Sequence, residues 1–425
     1  MKIIKKSIAL LLCASFLFSL SGCSFFWLRG TPEKKTETAD APAASDAAGT
    51  DGRTDFNENT TDATPAAAQA DSRVEEILAR MTTADKVAQM FIVTPDTLTN
   101  YEGSVTETGE AAKAAFDTCP VAGIIYLEES LQSAEQVKRM LSAMQEISVS
   151  RTGLPAFICV DEEGGEVARI SGSGRFDGVG SYQTMSSLGE EGDADKAYAI
   201  GAEIGGYLTD FGFNVDFAPV ADVLTNDNNT VVRYRSFGSD PQLVANMARS
   251  FSMGLMSRGV LATYKHFPGH GATSEDSHKG FAISNQTREE LNAVDLVPFA
   301  DAVANHIPFI MAGHITLPNV TEDDRPASLS KTVLTGILRE EMGYDGIIIT
   351  DAMNMGAITD NYAVADAAVL AVEAGNDILL LASDLDAYYH ALLDAVESGR
   401  IPMERIDESV RRIIRTKLQY LQPVG

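Results

Sequence analysis

Beyond about residue 72 the chain alternates between apolar runs of strand length and longer stretches with helical periodicity. The apolar runs cover 87–93, 123–127, 156–161, 215–223, 260–266, 309–314, 346–351 and 377–382. Nearly every position in them is apolar, so both faces must be buried, as in a parallel sheet covered by helices. Helical spacing fills gaps between them over 134–148, 195–210, 242–257, 331–341 and 387–398. Eight strands alternating with helices predict an α/β fold, a single (β/α)8 TIM-like barrel over residues 72–425, with a basic closing helix over 406–420. Neither a second sheet nor an internal repeat is legible.

Barrels of this kind place their chemistry at the carboxyl ends of the strands. Several runs end there in polar or charged residues: Asp161, the segment 218–222, Lys265 with His266, His314, and Asp351. Asp351 closes a run so apolar that an unpaired carboxylate would be costly, which leaves two readings, structural hydrogen bonding or catalysis.

A connection well beyond the usual strand-to-helix length runs from Phe267 to Gln286, and Thr287-Arg288-Glu289-Glu290 then forms a capping box that starts a helix. The string Lys265-His266-Phe267-Pro268-Gly269-His270-Gly271 leads into it, and it contains Asp276-Ser277-His278. Asp276 and His278 are two apart, so in an extended segment they share a face. A carboxylate holding one imidazole nitrogen leaves the other to give or take a proton, although a polar surface loop accounts for the same residues. A second motif, Asp161-Glu162-Glu163-Gly164-Gly165-Glu166-Val167-Ala168-Arg169, combines a carboxylate, that of Asp161, suited to paired hydroxyls with a Gly-Gly pair that lets backbone approach a ligand, although a turn with a solvated acidic run accounts for the same residues. His270 and His314 are expected to hold loops, and His306 and His390 to lie on surface helices.

Together these strings resemble glycoside hydrolase family 3, in its branch of β-N-acetylglucosaminidases with a histidine acid/base. The resemblance implies that Asp351, in Thr350-Asp351-Ala352-Met353, is the nucleophile and His278 the acid/base, oriented by Asp276. It implies sugar binding by Asp161, Arg169, Lys265, His266 and an arginine within 226–240, for which Arg235 is the better match and Arg233 the alternative, and a cis Phe267–Pro268 bond. The expected activity is retaining hydrolysis of terminal β-linked N-acetylglucosamine through a covalent glycosyl-aspartate, without metal or cofactor. The chain ends soon after the eighth apolar run, so the acid is expected from the barrel itself. Phosphate in place of water as acceptor, a non-catalytic sugar-binding lipoprotein, and a metal hydrolase using His266, His270, Asp276 and His278 are the alternatives.

The amino terminus adds a location. Lys2, Lys5 and Lys6 precede an apolar run over 8–20 and then Leu20-Ser21-Gly22-Cys23, a lipoprotein leader over 1–22 with lipidation expected on Cys23. Residues 23–71, rich in Thr, Ala, Asp and Pro, read as a disordered linker with a reach of ~40 Å. The expected product is a monomer, tied by its lipid to the outer side of a bacterial cell membrane. A net charge of -27, which grows more negative once the leader's lysines are lost, argues against nucleic acid as a partner. Peptidoglycan fragments are the expected glycan, with chitin oligomers and host glycans as alternatives. Cys119 and Cys159, in or beside apolar runs, are expected to be buried thiols.

Overall fold

The computed structural model of the protein describes residues 65–273, 282–382 and 384–421. Eight parallel strands close into a barrel in chain order: β1 (Phe91–Val93), β2 (Gly123–Ile125), β3 (Phe157–Val160), β4 (Val215–Asp216), β5 (Leu261–Phe267), β6 (Phe309–Ala312), β7 (Ile347–Ala352) and β8 (Ile378–Leu380). The ring shuts where Phe91 and Ile92 of β1 lie opposite Leu379 and Leu380 of β8.

The two-residue period of a strand decides which side chains point inward. Phe157 and Cys159 of β3, Leu261 of β5, Phe309 and Met311 of β6, and Ile347 and Ile349 of β7 fill the barrel interior. Phe157 and Phe309 meet edge to face across it, centroids 5.2 Å apart. The alternate residues Ile158, Tyr264, Ile310 and Ile348 belong to the separate core between strands and helices. Continuing the inward series in steps of two, once past Cys159 and Ile349 and twice past Leu261, reaches Asp161, Asp351 and Lys265, so the same alternation that packs the interior lines its carboxyl rim with ionisable groups.

The amino-terminal end is covered by the helix Met403–Tyr420, whose Ile413 joins the interior cluster. From this helix Lys417 Nζ donates to Gln89 Oε1 at 3.0 Å and sits 5.0 Å from the Phe157 ring centroid. Beside it the fully buried Asp377 gathers Arg339, Arg405 and Arg412 and accepts from Ser409 Oγ at 2.6 Å.

The differences from the expected elements are local. Residues 87–88 finish the helix Thr83–Ala88, whose Thr82–Asp85 capping box outcompetes extension of β1. In the run 215–223 only β4 joins the ladder fully; a cis Ala218–Pro219 bond follows, and Val220 makes a single bridge to Lys265. The helix Pro65–Arg80 begins inside the stretch read as linker, and its Glu75 pairs with Arg411 of the closing helix. Cys159 is a buried thiol, whereas the Cys119 thiol is only partly buried. No helix among the described residues is long and apolar enough to cross a membrane. Cys23 lies outside the described residues.

Candidate active site

A cavity of about 290 Å³ opens at the carboxyl ends of the strands, lined by Asp161, Arg169, Arg235, Lys265, His266 and Asp351 among others. A larger groove of about 880 Å³, with Tyr101, Asp384 and His390 in its wall, contains none of these residues.

Asp351 lies in the cavity wall, its Oδ1 accepting the Ala352 N–H at 2.7 Å. Burial alone would raise the pKa of this carboxyl. His266 and His314, the Ala352 amide and Lys265 outweigh burial and hold it down at about 2, so the group is a carboxylate at any ordinary pH. His314 Nε2 donates to the Ala352 carbonyl at 3.0 Å and its Nδ1 lies 2.7 Å from Ser328 Oγ, so this imidazole fixes the backbone beside Asp351.

Beside it is a network of alternating charge. Lys265 Nζ donates to Asp161 Oδ1 at 2.9 Å and contacts Glu163 Oε1 at 2.7 Å. Arg235 grips Glu163 with two parallel bonds, Nε to Oε2 at 2.8 Å and Nη2 to Oε1 at 2.7 Å. Arg169 Nη2 lies 3.8 Å from Asp161 Oδ2. Burial opposes the charge on Glu163, but Arg235 and Lys265 overcome it and hold the carboxyl far below the ordinary range. Burial likewise works against charge on Lys265, where Glu163 and Asp161 prevail and raise its pKa. Glu163 and Lys265 are therefore held in their charged forms, and the site offers both hydrogen-bond donors and acceptors to a polyhydroxylated ligand.

The backbone that presents these groups has its own supports. Glu162, facing away from the cavity, accepts the N–H groups of Arg169, Ile170 and Ser171 at 2.7, 2.9 and 2.7 Å and so closes the loop over 161–169. Gly165 has φ +65°, and a Cβ there would lie 2.9 Å from Thr184 Cα, which excludes other residues from this turn. The buried Asp222 receives the backbone N–H of His266 at 3.1 Å and of His270 at 2.6 Å, while His266 Nδ1 lies 2.8 Å from its other oxygen. The Phe267–Pro268 bond is cis, as expected, and so is Lys265–His266.

Six of the residues expected at the site, Asp161, Arg169, Arg235, Lys265, His266 and Asp351, thus line one cavity. Asp276 and His278 lie outside the described residues, as does half of the alternative metal set. Of the two candidate arginines, Arg235 faces the cavity, whereas Arg233 is exposed with its guanidinium 5.7 Å from the Tyr234 ring centroid. His270 holds its loop through Asp222 and Thr273 and also lines the cavity. His306 is exposed in the turn after the helix Leu296–Ala304, not on a helix. Sequence reasoning missed Glu163 and gave Asp222 no role. Glu163 carried one available signal, since it is two residues beyond Asp161 and so on the same side of an extended chain.

The pattern described as the glycosyl hydrolase family 3 N terminal domain matches residues 82–416. The chain is 32% identical over 354 residues to beta-hexosaminidase A of Pseudoalteromonas piscicida, covering 76% of this chain and 59% of that protein. It is 32% identical over 349 residues to beta-hexosaminidase LpqI of Mycobacterium tuberculosis, covering 80% of this chain and 84% of the relative. Among solved structures, a glycoside hydrolase family 3 beta-N-acetylglucosaminidase from Paenibacillus sp. superposes with a TM-score of 0.75 at 37% identity, over 81% of this chain and 64% of that one. The chain therefore spans less than two thirds of the Pseudoalteromonas and Paenibacillus proteins.

Proposed function

The chain belongs to glycosyl hydrolase family 3, and from that premise we propose that it is a retaining exo-β-N-acetylglucosaminidase acting through a covalent glycosyl-aspartate. The observation that carries this reading is Asp351: a carboxylate held ionised in the wall of a cavity whose other polar groups suit a sugar. At about 290 Å³ the cavity lies at the small end of ligand pockets, roughly 300–1,000 Å³, in keeping with an enzyme that takes one terminal residue.

Asp161, Arg169, Arg235, Lys265 and His266 hold the ring. Asp351 attacks the anomeric carbon while His278 gives its proton to the departing glycosidic oxygen; the C–O bond to the leaving group breaks as the ester bond to Asp351 forms. In the second step His278, oriented by Asp276, takes a proton from water, whose oxygen displaces Asp351 from the anomeric carbon. Two inversions leave the β-configuration unchanged. Lipidation at Cys23 would hold the enzyme at the outer face of the cell membrane, beside peptidoglycan fragments that carry such residues. The named activities of the relatives support the reaction class.

Incubation with defined muropeptides and N-acetylglucosamine oligomers, followed by proton NMR, tests the proposal. The expected first product is β-N-acetylglucosamine in water, and the same sugar in phosphate buffer. Initial α-anomer would refute retention, a sugar phosphate would make the enzyme a phosphorylase, and saturable binding without turnover would make it a lectin-like protein.

A further inference from the structure

Two loops of the site meet at Asn229, whose side chain is only 1% exposed. On one side its Oδ1 accepts the N–H groups of Val231 and Val232, both at 2.9 Å. These residues open the turn that holds Arg235: the Arg235 N–H donates to the Val232 carbonyl at 3.0 Å and its Nη1 to the Val231 carbonyl at 3.2 Å. On the other side Nδ2 donates to the carbonyls of His270 at 2.8 Å and Thr273 at 3.0 Å. Thr273 is the last described residue before the stretch that contains Asp276 and His278. Asn226 strengthens the same anchor, with Nδ2 to the Thr273 carbonyl and its backbone N–H to the Gly271 carbonyl, each at 3.2 Å.

A buried amide with both donors and both acceptor positions used is ordinarily a structural tie. Here the destinations matter. One half of the amide secures the turn that aims an arginine into the cavity, and the other secures the point from which the chain departs toward His278. We infer that Asn229 is a positioning residue that fixes the spacing between the Arg235 grip and the Thr273 anchor, and thereby the presentation of the general acid to a sugar already held. This inference rests on the reading of His278 as that acid.

Aspartate is nearly isosteric with asparagine and separates the two halves. In Asn229→Asp one carboxylate oxygen still accepts from Val231 and Val232, while the other faces two carbonyl oxygens and repels them. Arginine aim is kept and the anchor is released. The leaving group then discriminates, because a good one departs with little proton donation and a poor one does not.

The test uses the full chain and compares kcat/KM for p-nitrophenyl β-N-acetylglucosaminide and for N,N′-diacetylchitobiose in wild type, Asn229→Asp and His278→Ala. For Asn229→Asp the disaccharide value is expected to fall about 100-fold and the aryl value less than about fivefold, with inhibition by N-acetylglucosamine within about twofold of wild type. Equal losses on both substrates, or no loss on either, overturn the inference. If His278→Ala discriminates between the substrates and Asn229→Asp does not, the coupling alone falls. If His278→Ala fails to discriminate, the assignment of the acid falls and the coupling with it. Should Asn229→Asp not fold, Asn226→Asp, which loses one donor to Thr273, is expected to shift the same ratio about tenfold, and an unchanged ratio overturns the inference.

Discussion

Glu163 is a full negative charge in a place with almost no water, tolerable only because two cations close on it. Removing the charge therefore leaves Arg235 and Lys265 to repel one another inside the cavity. Glu163→Gln is expected to lower stability by about 3–5 kcal/mol, as breaking a buried pair does, and to raise KM more than it lowers kcat; thermal melts with Michaelis kinetics check both. Asp351 is likewise held in its charged form by its partners, here His266, His314, the Ala352 amide and Lys265. Its folded pKa of about 2 lies below the ordinary carboxyl value of about 3.9, so the stabilisation it contributes is present above about pH 4 and lost as pH falls through 2. Asp351, the proposed nucleophile, is thus ionised throughout the working range. For an activated aryl glycoside, kcat/KM is expected to stay level from about pH 4 to 7, and a limb in that range that disappears in Asp351→Glu would contradict the assignment. Asp161, Lys265 and Asp351 were legible because each continues a strand's inward series past the last apolar residue. Asp222 was not, since its importance lies in receiving the backbone of His266 and His270, 44 and 48 residues away in sequence.

At the scale of elements, apolar runs announce buried strands well and their limits badly. Residues 87–88 are as buried as β1 yet belong to a helix, because burial is blind to backbone geometry and the Thr82–Asp85 cap decides it. The helix Val364–Ala374 is so uniformly apolar and small that it lacks a clear polar face, and it went unread for that reason. The closing helix was legible as a basic periodic stretch, but not where its cations go. Lys417 is fully buried, and burial lowers its pKa from the ordinary value to about 7. Between about pH 7 and 10.5 the unfolded chain therefore binds the extra proton, so stability rises with pH across that window. The melting temperature of wild type minus that of Lys417→Met is expected to increase from about pH 7 to 10; a flat difference would show that the lysine is not desolvated. Asp377 ties the same helix to β8 through Arg405, Arg412 and Ser409, and Asp377→Asn is expected to cost about 3–5 kcal/mol in denaturant unfolding while KM is unchanged.

Across the whole molecule, one barrel separates two tasks by its ends. The amino-terminal end is sealed by a helix, and the carboxyl end gathers residues distant in sequence into one cavity. Two Asp–His pairs take part in the proposed chemistry and differ in function. His266, tied to Asp222, is proposed to grip the sugar, so His266→Ala is expected to weaken activated and poor substrates alike, by about 10- to 100-fold in kcat/KM. His278→Ala is expected to spare the activated aryl substrate and lose about 100-fold or more on the disaccharide. The central claim, however, concerns Asp351 alone. Wild-type enzyme incubated with a 5-fluorinated N-acetylglucosaminyl fluoride, then digested and mapped by mass spectrometry, should carry a single glycosyl adduct on the peptide bearing Asp351. An adduct on another carboxylate, or steady turnover with no adduct formed at all, would contradict it.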